Sequence, residues 1–386
     1  MQDAADELHV HLTTSKSSKG PFAASLAVFR HGKLVDRWTT GWLGPSPQSG
    51  KVESNTKFLV ASVTKPVTAT AVMRLVEDKA IDLSTRVESV LSEFTGEGRG
   101  EIQVLHLLTH TSGLPDMVAD NIGLRERHAG LSEFFRSVCK SPLCSRPGSE
   151  VGYQSMGSLV LAELVERLTN QSFGRFLGEQ VLDPVGMMDT CLGFPDDDEG
   201  RNAALVNLPP GQADTNWHWN SRYWRKLGAP WGGLLSTATD LAAFAHVFVN
   251  GGRAVTGKRV ISEATCAAMC RDWTGPMNPS FPPLGLGWFI RGENASAHRP
   301  SARNGVPAGD QTGVVTSMDI VFDREFFGAS FSPAAVGHAG VTGCAMWADP
   351  TSGVAAAVLT NSPSVLNDGT MGRAAALIDS VSNRTE

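Results

Sequence analysis

The feature that most constrains this 386-residue chain is where its hydrophobic periodicities change. Strand-like runs stand at both ends, and helical spacing fills the middle. Ala24 to Arg30 and Lys33 to Thr39 are two β-like runs around His31-Gly32, a two-residue turn with glycine that reads as a hairpin. From Thr64 to about Lys79, Val67, Ala71, Leu75 and Val76 recur at helix spacing, and Pro66 falls in the first turn, where it is tolerated. Ser158 to Leu168 repeats the pattern, and Asp240 to Val249 does so again with Asp240 as the expected N-cap. Gly285 to Ile290, Val314 to Phe322, Cys344 to Ala348 and Val354 to Thr360 read as strands, the last two joined by the turn Asp349 to Gly353. A helix over about Met371 to Ser382 follows. Sequential elements tend to neighbour one another in space, so the simplest arrangement is an α+β fold. One antiparallel sheet is built from the N- and C-terminal strands and flanked by helices, with a mainly helical region inserted. The expected division is 1–62 and 230–386 for the sheet region and 63–229 for the helical region, with a site in the cleft between them.

Composition removes several function classes. The chain is 41% hydrophobic and 19% charged, with a net charge of −6 and no basic stripe, so nucleic acid is not an expected partner. No apolar run is long enough to span a bilayer, so no membrane association is expected. The first residues, Met1 to Glu7, lack a basic and then apolar leader pattern, which favours a cytoplasmic location and free thiols for the six cysteines. Cys266 and Cys270 are four apart in a helical stretch, and Cys139 and Cys144 flank a proline-containing loop; neither pair has a zinc-like partner set. His106 and His110 have zinc-helix spacing without the intervening glutamate. No metal or cofactor is expected, and the oligomeric state is not legible.

Three short motifs carry chemistry. Ser62-Val63-Thr64-Lys65 places a hydroxyl and an amine one helical turn apart at a helix start. A serine hydroxyl needs such a base, and first-turn amides help a nearby oxyanion. Alone, the spacing is better read as a capping serine before a solvated lysine. Tyr153-Gln154-Ser155 lies just ahead of the Ser158 helix, and its tyrosine is one of two against nine tryptophans. Gly337-His338-Ala339-Gly340-Val341 precedes the strand at Cys344, a small-residue stretch against which a substrate can lie. Each has a bland reading as packing or turn; their order along one chain is harder to obtain by chance.

With these motifs the chain resembles the serine β-lactamase-related hydrolases, in the branch of class C β-lactamases, D-alanyl-D-alanine carboxypeptidases and family VIII carboxylesterases. The resemblance runs from about Phe22 to Ser362. It includes Leu107 to Leu114, Pro184 to Met187 and Gly232 to Thr237 as connecting segments. It implies a β-lactamase/transpeptidase-like fold, with Ser62 as acylated nucleophile, Lys65 as proton carrier and Tyr153 as general base or acid. The amides of Ser62 and Val341 would form the oxyanion hole. Which of Lys65 and Tyr153 takes the first proton stays open.

Two departures bear on substrate. Ser155 stands where class C enzymes carry Asn, and His338-Ala339-Gly340 where they carry Lys-Thr-Gly. Ala339 has no hydroxyl, and an ordinary histidine is mostly neutral near pH 7, so the grip on a substrate carboxylate is weakened. The expectation is a carboxylesterase on small or aromatic esters, with Ser155, His338, Ala339 and Gly340 lining the substrate site. The alternatives are an acyltransferase, a β-lactamase or D-amino-acid peptidase using the same site, and a non-catalytic penicillin-binding-like sensor. The aromatic segment Trp217 to Trp224 reads as a loop whose Trp219 and Trp224 either wall the substrate site or pack a core, in about equal measure.

Overall fold

A computed structural model describes residues 23–194, 202–209, 211–277, 282–293, 324–329, 331–366 and 370–383. The strand expected over Val314 to Phe322 lies outside them. Strands β1 (Ala24–Arg30) and β2 (Lys33–Thr40) form the expected hairpin, with a register shift between Val28 and Phe29. Strands β3 (Phe58–Leu59), β4 (Cys191–Leu192) and β5 (Leu234–Ser236) make a small three-stranded sheet in the order β3-β5-β4. Strands β6 (Phe289–Ile290), β7 (Val336–Gly340), β8 (Cys344–Asp349) and β9 (Val354–Thr360) complete a six-stranded antiparallel sheet in the order β2-β1-β9-β8-β7-β6. The first and last strands therefore pair directly, β1 with β9, from Ala24↔Thr360 to Arg30↔Val354.

The sheet is covered on both faces, and side-chain alternation sorts its residues between them. Ala27, Phe29, Met346, Ala355, Ala357 and Leu359 face the larger hydrophobic cluster. Leu26, Val28, Ala345, Trp347, Ala356 and Val358 face the smaller one. Seven helices matter for the argument. They are α1 (Thr64–Glu77), α2 (Leu131–Val138), α3 (Met156–Thr169), α4 (Arg222–Leu227), α5 (Ala238–Val249), α6 (Glu263–Cys270) and α7 (Thr370–Asn383). Helix α5 lies against β1, β8 and β9, and α7 lies against β2 and β9. The run Ala355-Ala356-Ala357 in the central strand lets both approach closely. In the middle of the chain α1 packs on α3, using Val67, Ala71 and Leu75 from the predicted apolar face.

Three expectations are corrected. Asp240 is not the N-cap of α5. Thr237 is, its hydroxyl accepting the Asp240 N–H at 3.1 Å, while the buried Asp240 carboxylate accepts from the Asp189 N–H and the Thr190 hydroxyl. Of Gly285 to Ile290 only the last two residues join the ladder. The Leu286 and Gly287 N–H groups are spent on the carbonyls of Met269 and Leu108, and Gly287 turns left-handed at φ +81°. The aromatic segment is not all loop, because Ser221 caps α4 by accepting the Trp224 N–H. The stretch Gly337 to Val341 lies ahead of the strand at Cys344 as expected, and its first four residues belong to a strand themselves, β7. None of the six cysteines is in a disulfide.

Candidate active site

Ser62 sits in a single 3₁₀ turn, Ala61–Val63, that runs directly into α1. Ala61 enters that turn at φ +46°, a left-handed backbone that costs an alanine on the order of 1 kcal/mol and persists only when its surroundings dictate it. The surroundings do. The Val60 N–H donates to the Leu234 carbonyl at 3.0 Å, and the Leu234 N–H donates to the Thr64 hydroxyl at 3.1 Å. The Thr342 hydroxyl donates to the Leu59 carbonyl at 2.6 Å. Gly340 runs so close to the Val60 carbonyl and Ala61 that a Cβ there would collide with backbone. Strand β7 is thereby pinned beside the turn that carries the hydroxyl, and Val341 follows it in a tight turn closed by the Gly343 N–H on the Gly340 carbonyl.

Lys65, in the first turn of α1, places Nζ 2.9 Å from Ser62 Oγ and 3.1 Å from the Trp231 carbonyl. Both Ser62 and Lys65 are buried. Burial brings the Lys65 amine down from 10.5 to about 7, against the opposing pull of the Asp116 carboxylate. Near neutral pH a substantial share of this amine is unprotonated and able to accept a proton. The solvated-lysine reading of the motif is excluded by this burial.

Tyr153 lies 4.7 Å, ring centroid to Nζ, from the same amine. Its ring also meets His110 at 4.6 Å, Phe289 at 6.2 Å and His338 at 6.4 Å. Ser155 is buried immediately ahead of α3, and the Asp116 carboxylate accepts its N–H at 2.8 Å. His338 is buried in β7 with Nδ1–H donating to the Ala339 carbonyl at 2.8 Å. Burial first, and the Lys65 charge second, hold its pKa well below the usual histidine value, so the imidazole is neutral. Ala339 is buried in the smaller cluster.

The three motifs thus converge: Ser62 with Lys65, Lys65 with Tyr153, Tyr153 with His338, and Gly340 with the turn before Ser62. Trp219 and Trp224 are placed differently from the rest. Both are buried in the larger cluster, where Trp224 meets Trp231 edge-on at 6.4 Å and carries the Arg125 guanidinium 4.3 Å above its ring. Trp224 thereby backs the residue whose carbonyl receives Lys65. His106 is not a ligand either, since its Nδ1 accepts the Gln103 N–H at the start of a short helix. Among the described residues no cluster of three metal-ligating side chains occurs, and no helix is long and apolar enough to cross a membrane.

Sequence reasoning passed over His110, Asp116 and Trp231. His110 lies inside the connecting segment Leu107 to Leu114, which was given no role in the site, and Asp116 lies two residues beyond it. The signal available was a histidine and an aspartate bracketing a Ser-Gly and Leu-Pro turn.

Comparison with known proteins agrees with this geometry. The family model described as Beta-lactamase matches residues 17–379. Penicillin-binding protein 4 of Amycolatopsis lactamdurans is 30% identical over 272 residues, 69% of this chain and 69% of that protein. Esterase EstB of Burkholderia gladioli is 35% identical over 177 residues, 42% of this chain and 45% of that protein. Among solved structures, a family VIII carboxylesterase superposes with a TM-score of 0.72 at 20% identity, covering 97% of this chain and 96% of that one. With a match that spans nearly the whole sequence and a buried serine–lysine pair at its centre, the chain belongs to the beta-lactamase family of serine hydrolases.

Proposed function

We propose that the protein is a carboxylesterase acting through an acyl-enzyme on Ser62. The observation that carries this reading is the buried Ser62–Lys65 pair flanked by a β7 strand with no cation on its His338-Ala339-Gly340 motif. Ser62 Oγ attacks the ester carbonyl carbon and its proton passes to the Lys65–Tyr153 pair. The amides of Ser62 and Val341 receive the developing oxyanion. The alcohol leaves with a proton returned by the same pair, and water then attacks the acyl group by the reverse proton route.

The substrate preference follows from charge. A neutral, buried imidazole and an alanine offer a substrate carboxylate neither a cation nor a hydroxyl. An uncharged ester loses nothing by their absence. In this reading the catalytic groups stand where the sheet region, 1–62 and 230–386, meets the helical region, 63–229. Ser155, His338, Ala339 and Gly340 line the acyl site, with Trp219 and Trp224 behind its helical wall. Six cysteines without a disulfide suit a reducing compartment, and on that ground we read the protein as cytoplasmic.

The test is a substrate panel of p-nitrophenyl acetate and butyrate, a D-alanyl amide and nitrocefin, run on the parent chain and on Ser62→Ala. The expected order of kcat/KM places the esters first, with all turnover lost in Ser62→Ala. Nitrocefin turned over faster than either ester would overturn the ester preference. An added alcohol that diverts product from acid to new ester would move the assignment to acyl transfer.

A further inference from the structure

Residues 151 to 154, which carry Tyr153, belong to no helix or strand. The Gln154 side chain is tied to Ser112 and to the His106 carbonyl, while the backbone and the ring around Tyr153 both meet one residue, His110. The Gly152 N–H donates to the His110 carbonyl at 2.9 Å, and the Gln154 N–H donates to His110 Nδ1 at 3.3 Å. The His110 ring stacks on the Tyr153 ring at 4.6 Å with 28° between planes. The amides of the two residues flanking the tyrosine, and its aromatic face, therefore all rest on His110. His110 itself is buried and adopts φ +56°, a left-handed conformation that a β-carbon disfavours. That strain is retained at the one place where it aims a carbonyl, a ring nitrogen and a ring face at Tyr153 together.

We infer that His110 is a positioning residue for acyl transfer, an uncharged clamp that fixes the Tyr153 ring over the Lys65 amine. The inference rests on the reading of Tyr153 as a proton-transfer group. The clamp works only as a neutral imidazole, since Nδ1 must accept the Gln154 N–H. The ionisable groups facing this space are Lys65, Asp116, Tyr153 and His338. Burial and the Lys65 charge hold the His110 pKa at about 3, so the clamp keeps its form across the working pH range and adds no second cation beside Lys65.

The experiment is a double-mutant cycle on p-nitrophenyl butyrate hydrolysis. His110→Asn keeps an acceptor near Nδ1 and tolerates the left-handed backbone, but removes the stack. His110→Phe keeps the stack and removes the acceptor, and serves if the first variant fails to fold. Each is made in the parent chain and in Tyr153→Phe, with kcat, KM and melting temperature recorded. Displacement of a catalytic group by about 1 Å costs on the order of 100-fold. We expect kcat to fall at least ~10-fold in the parent with KM within ~2-fold, and to fall less than ~2-fold in the Tyr153→Phe background. An equal loss in both backgrounds, or no loss in the parent, overturns the inference and leaves the Tyr153 reading standing. Full activity in Tyr153→Phe alone refutes that reading, and this inference with it.

Discussion

Lys65→Met should abolish activity, and its stability relative to the parent should fall as pH rises from about 6 to about 9.5. The Lys65 amine is displaced from 10.5 to about 7, chiefly by desolvation. At roughly 1.4 kcal/mol per pH unit, holding the protonated form in place costs the fold about 5 kcal/mol. The sign follows from linkage. Below the folded value of about 7 both folded and unfolded chains carry the proton, and the full cost applies. Between about 7 and 10.5 only the unfolded chain carries it, so parent stability rises with pH until the cost vanishes. Methionine has nearly the same length and no charge, but it leaves the Ser62 hydroxyl and the Trp231 carbonyl without their partner, at about 1–3 kcal/mol for a buried group. The assay is urea unfolding of both proteins at several pH values. Groups that do not feel the Lys65 charge cancel in the difference, and His110 and His338, which do feel it, are both held below the usual histidine value, so the difference should swing against the variant by about 3 kcal/mol between about pH 6 and pH 9.5. A difference that stays constant with pH would refute the buried, depressed lysine on which the site depends.

Three further outcomes follow from the same geometry. Asp116→Asn keeps an acceptor for the Ser155 N–H but removes the charge that raises the Lys65 pKa, so the acid limb of the kcat/KM profile should move down by ~1 pH unit; an unmoved limb contradicts Lys65 as the titrating base. Gly340→Ala drives a Cβ into the Val60 carbonyl and Ala61 beside the nucleophile. It should cost about 1–3 kcal/mol in urea unfolding and lower kcat far more than KM. Trp224→Ala empties a buried site packed by Trp231 and Arg125. It should cost about 3–5 kcal/mol by thermal or chemical unfolding, with KM for bulky esters little changed; a raised KM at unchanged stability would return Trp224 to the substrate wall.

The hairpin, the terminal strands and α1 were legible because local periodicity and burial agree there. The near-continuous apolar run Ala24 to Phe29 fits a strand buried on both faces, and the helical spacing of Val67, Ala71 and Leu75 reports the face that α1 buries. The errors arose where backbone hydrogen bonds go to distant partners. Gly285 to Gly287 look like strand, yet their amides answer to Met269, Leu108 and the Trp288 carbonyl, none of which sequence spacing reveals. Asp240 was misread because Thr237, three residues earlier, outcompetes it for the cap. Within the site, Ser62 and Lys65 were visible because their relation is local to one helical turn. His110 and Asp116 were not, because they act on Tyr153 and Ser155 about forty residues away, through peptide groups that carry no sequence signature.

The most direct measurement is mass spectrometry of the intact protein and its tryptic peptides after rapid acid quench of a reaction with p-nitrophenyl butyrate. A butyryl adduct on the peptide containing residue 62, absent from Ser62→Ala and accumulating at the rate of the nitrophenol burst, is the predicted result. Ester hydrolysis that survives in Ser62→Ala, or an adduct on a different residue, would contradict it.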